Sequence, residues 1–382
     1  MLSLVSMFTD VASEMLYPIM PLFLQQIGYT AVFIGVLEGV AEATAGLSKS
    51  FFGKLSDRTG RRMPFVQLGY GLSAISKPLL AFFIFPMWIF FSRTLDRLGK
   101  GIRNGARDAM LSDESTAATK ATVFGFHRSL DTMGAVAGPA LALLYLYFYP
   151  GDYRTLFLIA FLPGLAAIAL TFLIKEKQMV LPAYHPRPKA HFFAFFSYLK
   201  LSSVSYKRLL LGLLVFALVN SSDVFLLLKM KDAGLADRVI ISLYIFYNLV
   251  FALVAYPLGK LADKLGLKNI FVCGIGLFVL VYVGFAFEWP IWVYMLLLVF
   301  YGVYAAATEG VAKAWISNLV PKTDTATAIA TYSGMQSLAA LFASSVGGLI
   351  WVYAGPMATF LVAAVVALLV VIYFLFAPIK EA

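Results

Sequence analysis

The chain has 382 residues, 61% of them hydrophobic and 13% charged, with a mean hydropathy of +0.85. A soluble domain carries about 25% charged residues, so this composition excludes an ordinary water-soluble fold and points to a lipid bilayer as the partner. The net charge of +10 permits nucleic-acid binding by sign alone, but the positions of the charges give it another origin, and the single Cys273 rules out an intramolecular disulfide and argues against a thiolate metal site.

Crossing the hydrocarbon core takes about 20 apolar residues in a helix. Twelve stretches qualify in chain order: 1–27, 31–52, 63–85, 87–110, 120–148, 154–174, 208–229, 239–258, 268–287, 290–316, 325–352 and 354–378. The first lacks the basic leader and small-residue cleavage site of a signal peptide, so it reads as a retained helix. Its abrupt start leaves open a short missing leader. Residues 175–207 form the only long polar segment, basic and carrying Pro182, Pro186 and Pro188, and read as a linker. Within it, His191 to Leu201 has the pattern of a helix lying on the membrane surface. The expected organisation is a bundle over 1–174, a linker over 175–207 and a second bundle over 208–382.

With both ends on one side, seventeen lysines and arginines fall in one set of loops, against only Arg154, Lys231 and Arg238 in the other. Lys and Arg concentrate on the cytoplasmic side, so both termini and the linker are expected there. The excess positive charge then follows from topology plus a buried site, without nucleic acid.

A decapeptide recurs. Gly53-Lys54-Leu55-Ser56-Asp57-Arg58-Thr59-Gly60-Arg61-Arg62 returns 206 residues later as Gly259-Lys260-Leu261-Ala262-Asp263-Lys264-Leu265-Gly266-Leu267-Lys268. Each copy fills a charged gap between apolar stretches. A duplicated polar hinge in a membrane protein points to two homologous bundles around one central site. The glycines suit tight geometry at a helix end, and Asp57 can accept hydrogen bonds from a neighbouring helix N-terminus.

The first copy resembles the G-x-x-x-D-R-x-G-R-R pattern between helices 2 and 3 of the major facilitator superfamily, and the second falls where that family repeats it in weaker form. The resemblance covers the whole chain. It implies an all-α membrane protein of twelve transmembrane helices in two pseudo-symmetric six-helix bundles. It also implies a conformational latch made of Gly53, Asp57, Arg58, Gly60 and Arg62, with Arg107 or Asp108 as partners, and of Gly259 and Asp263 in the second copy. Leu267 replaces an arginine, so the second latch is expected to be the weaker.

The fourth stretch is unusually charged. At 100° per residue, Arg93, Asp96, Arg97, Lys100, Arg103 and Arg107 lie within about 120° of one another. Each such charge costs about 2.5–3.5 kcal/mol at the bilayer centre on insertion scales. A ladder of five cations and one carboxylate is therefore expected to face water or paired acids. Arg93, Asp96 and Gly99 fall on the R-x-x-Q-G-x-G motif of proton-coupled family members, with Asp96 in place of the glutamine and Arg97 in place of the first glycine. These departures leave Arg97 open to a substrate role.

Matching acids lie nearby. Asp10 and Glu14 are four residues apart, as are Glu38 and Glu42, so each pair shares a helix face. Together with Asp131 these are the candidates for proton coupling. Arg93, Asp96, Arg97, Lys100, Arg103 and Arg128 are candidates for binding substrate. The second bundle contributes a mostly apolar wall with Asn220 and Asp223. Gly134, Gly138 and Pro139 resemble the helix-5 motif of the superfamily's antiporters, with Ala142 replacing its last glycine.

The expected function is secondary active transport by alternating access, with proton-driven export of a small anionic or amphiphilic organic molecule. Arginine suits bidentate carboxylate or phosphate. Proton symport of an organic acid or sugar phosphate, an amphiphile or lipid translocase, and a divalent metal transporter are the alternatives. No P-loop, Ser-His-Asp set or metal cluster is legible, so neither an enzyme nor direct use of ATP is expected. The proton gradient stands in place of any cofactor. The chain is expected as a monomer in a prokaryotic inner membrane.

Overall fold

A computed structural model describes residues 1–17, 19–20, 23–24, 27–28, 31–176, 194–220 and 223–379. Within the helices, the side chains of 31–36, 38–39, 42–43, 47, 50, 194–197, 224, 237–238 and 241 lie outside the described residues. The described structure is helical throughout. In chain order it comprises α1 (Leu2–Glu14), α2 (Ala31–Thr59), α3 (Met63–Phe82), α4 (Pro86–Asp113), α5 (Lys120–Phe148), α6 (Tyr153–Ile159) and α7 (Phe161–Thr171). These are followed by α8 (Ala194–Leu201), α9 (Val204–Ala217), α10 (Val224–Asp232), α11 (Asp237–Leu265), α12 (Leu267–Phe285), α13 (Ile291–Asn318) and α14 (Thr325–Phe376).

Each of the twelve expected spans has a helical counterpart, with informative differences. The first regular helix stops at Glu14, and helical hydrogen bonds resume from Met20 to Leu16 and from Ile27 to Phe23. The seventh span is broken between Ala217 and Val224, where Asn220 donates its amide back to Phe216. The last two spans run on as α14, interrupted at Gly355, whose φ of 89° is a conformation only glycine adopts easily. By length and composition, six of the described segments are apolar enough to cross a membrane. The charged α4 is not among them.

The duplication is visible in the helices. Both copies of the decapeptide are helical almost to their ends, because nothing in Gly53-Lys54-Leu55 or Gly259-Lys260-Leu261 stops the preceding helix. The stop comes from Gly60 and Gly266, at φ 66° and 95°. The hinge is thus a helix extension followed by a glycine turn, not a loop. The helices α2 and α11 are 29 residues each, and α4 and α13 are 28. Equal lengths at nearly equal offsets, 206 and 205 residues, are what a duplicated bundle requires.

By contacts the chain divides into two compact units. Unit 1 holds Met1–Glu114, Leu130–Leu201 and Pro321–Gly334, and unit 2 holds Ser115–Ser129, Ser202–Val320 and Met335–Ala382. The core of unit 1 gathers Met15, Leu16, Phe23, Ile89, Leu156 and Phe157. In unit 2, Phe278 stacks on Tyr282 at 3.8 Å, and Phe271, Trp315 and Phe374 form a second aromatic cluster. Large apolar side chains such as Leu144, Leu162, Leu341 and Val365 are exposed along their helices. In water such surfaces would drive aggregation, whereas lipid solvates them.

Candidate functional site

The polar interior of unit 1 is built on α4. Arg93, Asp96, Arg97, Arg103, Arg107 and Asp108 are all buried, and Lys100 is half-buried. The structure packs α4 against α2 and α3, and of the two surroundings expected for the ladder, water or paired acids, the described contacts include acids: Asp96 and Asp108. Close approach of α3 makes this possible. A Cβ at Gly69 would overlap the Gly99 carbonyl and the Arg103 side chain, and one at Gly99 would overlap Gly69. One and two turns beyond Gly69, Ser73 and Lys77 meet Asp96. The Ser73 hydroxyl donates to Asp96 Oδ1, and Lys77 Nζ reaches the same oxygen at 2.6 Å. Arg93 and Arg97 lie close enough to act on the same carboxylate. Asp96 is thus the anion that holds three cations in one buried cluster.

Arg103 stands apart. Its guanidinium stacks over the Tyr70 ring, 4.5 Å from the centroid. Its Nε and Nη1 are buried with no hydrogen-bond partner among the described residues. A buried donor left unmade costs about 1–3 kcal/mol, more when charged. An anion at this position would remove that cost. One turn on, Arg107 donates to Asp108 Oδ1 from Nε and Nη2 at 3.0 and 2.9 Å, and from Nη1 to Ser6 Oγ at 3.0 Å. Ser6 Oγ in turn donates to Asp131.

The Ser6 bond links the cations to the acids of α1 and α5. Asp10 lies near Asp131, and Glu14 and Lys100 are near enough to act on it as well. The helix-5 glycines explain the approach. A Cβ at Gly134 would overlap the Met7 carbonyl and crowd Asp10, and one at Gly138 would overlap the α1 backbone at Val11 and Met15. The Gly134–Gly138–Pro139 segment thus lays α1 directly on α5. Glu38 and Glu42 fall on α2, but their side chains lie outside the described residues.

The duplicated hinges cap helix ends from the other half of the chain. In unit 1, Asp57 Oδ2 accepts the Thr327 amide at 2.7 Å and its hydroxyl at 2.9 Å, in the first turn of α14. Arg62 bridges Asp57, Asp113 and the Lys322 carbonyl. The Arg62 and Met63 amides, at the start of α3, donate to Glu176. In unit 2, Asp263 accepts the Ala121 and Thr122 amides at 2.9 and 2.7 Å and the Thr122 hydroxyl. Arg62 is therefore the cation on Asp57, while Arg107 and Asp108, expected as its partners, serve each other and Ser6. Arg58 is exposed. Gly53 meets Ala330 and Gly105, and Gly259 meets Ala121 and Gly125, at distances that leave no room for a Cβ.

Unit 2 holds the remaining candidates. The Asp223 carboxylate accepts the hydroxyls of Tyr247 and Tyr301, and Asn220 lies half-buried in the same break. Arg128 pairs with Glu309 and lies over the Phe251 ring. The sequence reading missed Ser6, Tyr70, Ser73, Asp113, Glu176, Tyr301 and Thr327. Thr327 alone left a signal, since it stands 205 residues after Thr122.

The fold and the twin hinges are those of a secondary transporter. The profile of the Major Facilitator Superfamily matches residues 2–244 and 224–382. An uncharacterized MFS-type transporter of Methanocaldococcus jannaschii is 32% identical over 378 residues, covering 97% of this chain and 92% of its own. The multi-drug resistance efflux pump PmrA of Streptococcus pneumoniae is 26% identical over 278 residues, covering 69% and 66%. The crystal structure of the human organic anion transporter MFSD10 matches with a TM-score of 0.82 over 98% of this chain and 97% of its own. At 16% identity that likeness speaks to the fold alone. The chain belongs to the Major Facilitator Superfamily and is an integral membrane transporter.

Proposed function

We propose that the chain is a proton-coupled exporter of a small anionic or amphiphilic organic molecule, working by alternating access in a prokaryotic inner membrane. The observation that carries this reading is the chain of contacts from Arg107 through Ser6 to Asp131, with Asp10 beside it, which joins two neighbouring carboxyl groups to the cationic helix. Arg103, with two unmet buried donors, is the group that takes the anion. The pair Asp10–Asp131 carries the proton. Export is supported by the name of the pneumococcal relative, an efflux pump, and by the antiporter-like use of Gly134 and Gly138 to seat α1.

Symport is the second reading, and the Arg107–Ser6 bond supports it. An anion that draws Arg107 from Ser6 leaves Asp131 with less positive charge nearby, so proton and anion would bind together. Everted membrane vesicles, acid inside, separate the two. Export predicts that an amphiphilic sulfonate dye accumulates in them, that collapsing the pH gradient releases it, and that Arg103→Ala abolishes accumulation. Accumulation only in vesicles of the opposite gradient would establish symport. Gradient-independent movement, or an unaffected Arg103→Ala protein, would overturn both.

A further inference from the structure

The Asp223 cluster of unit 2 has a chemistry opposite to that of the α4 ladder. Asp223 occupies the N-cap of α10, at the break in the seventh span, yet makes no side-chain cap. An aspartate there ordinarily accepts an amide of the first turn. Instead its carboxylate reaches to two other helices, taking the Tyr247 hydroxyl from α11 and the Tyr301 hydroxyl, at 2.6 Å, from α13. No lysine, arginine or histidine among the described residues pairs with it. Lys229, six positions on, is bonded to Glu288 at 3.5 Å. Asp223 is half-buried.

Aromatic faces surround it. Tyr244 to Tyr247, Tyr247 to Tyr301, and Tyr301 to Tyr304 each have ring centroids 5.3 Å apart. Glu309 lies near enough to act electrostatically on Tyr247. A tyrosine that donates to a carboxylate has a more electron-rich ring, and such faces attract cations.

We infer that Asp223, with Tyr244, Tyr247 and Tyr301, forms a binding site for an organic cation, a substituted ammonium or phosphonium group. A hard metal ion suits it poorly, because such ions take six to eight oxygen ligands (calcium) or a strict octahedron (magnesium). Here the two hydroxyls are already committed as donors to the acid. A bulky organic cation needs only one carboxylate and aromatic surface. Discontinuous membrane helices are where transporters build such sites. The site lies wholly within unit 2 and does not rest on the anion reading of unit 1.

The test is binding of radiolabelled tetraphenylphosphonium to the purified full-length protein. Asp223→Asn should weaken binding at least tenfold, and Asp223→Glu should restore most of it. Tyr244→Leu should weaken binding severalfold while Tyr244→Phe preserves it. Benzyltrimethylammonium should displace the probe and benzenesulfonate should not. Should Asp223→Asn fail to fold, the Tyr244 pair and the displacement experiment decide. Unchanged affinity in a folded Asp223→Asn protein, equal loss in both Tyr244 variants, or displacement by benzenesulfonate would overturn the inference. None of these outcomes depends on whether the sulfonate dye is exported.

Discussion

Asp57 accepts both the amide and the hydroxyl of Thr327, 270 residues away along the chain. One carboxylate thus caps a helix of the opposite half and holds Arg62 besides. Losing a cap costs about 0.5–2 kcal/mol. Asp57→Ala is expected to reach the upper end of that range, because it also takes one of two carboxylates from the buried Arg62 guanidinium. Apparent melting temperatures in detergent measure this. Asp263→Ala, whose carboxylate holds three bonds to Ala121 and Thr122, should cost less. A larger loss for Asp263→Ala would contradict the ranking.

The same latch should respond to pH. Asp57 lies past the apolar part of α2, and burial raises its carboxyl to about 7, against the opposing pull of Arg62 and the Thr327 bonds. Asp324 adds to the rise. Tyr198 also lies near Asp57, and Asp113 occupies Arg62. In an open latch the carboxyl meets water and titrates near 3.9. A folded value above the open one means that the closed latch binds the proton more tightly. Its contribution is complete below about pH 4 and is lost as pH rises through about 7. Melting temperature should fall across pH 5–8 more steeply for the natural protein than for Asp57→Asn. Parallel slopes would remove Asp57 as the titrating group.

Glycine substitutions separate packing from helix propensity. A Cβ at Gly53 would overlap Ala330 Cβ and crowd the Ala326 carbonyl, whereas one at Gly71 meets nothing within 4 Å. Alanine is better than glycine in a helix interior by about 0.8–1.0 kcal/mol. Gly71→Ala should therefore be neutral or stabilising, and Gly53→Ala destabilising by about 1–3 kcal/mol from overpacking. Thermal unfolding of the two variants checks the sign.

Lys77 and Asp96 form a buried ion pair with both side chains about one-tenth exposed or less. Removing one partner of such a pair costs about 3–5 kcal/mol. Lys77→Met should be strongly destabilising, and Lys77→Met with Asp96→Leu should recover much of the loss. A double variant as unstable as the single one would show that Asp96 is needed more by Arg93 and Arg97 than by Lys77.

How much of this could be read from the chain depends on the range of the interactions. The spans follow from local composition, and the twin hinges from a repeat that also sets Gly60 and Gly266. The α4 ladder was visible because one helix carries all its members. What Arg103 and Asp96 touch was not visible. Lys77 and Ser73 become partners of Asp96 only because Gly69 and Gly99 let two helices close up, and a glycine pair in a membrane helix has no address. The break before Asp223 carries no proline and reads as an ordinary span. Thr327 looks like any threonine until its hinge aspartate is placed beside it.

The central claim is that Asp131 and Asp10 share a proton that substrate binding moves through Ser6 and Arg107. Proton exchange by the purified protein in weak buffer, on adding the amphiphilic sulfonate, tests it directly. Coupling is reciprocal, so an anion that alters the proton affinity of the pair must exchange protons with the buffer as it binds. The natural protein should show that exchange, as release for an exporter, and Asp131→Asn should bind the dye without it. Dye binding with no proton exchanged in the natural protein, or undiminished exchange in Asp131→Asn, would contradict the claim.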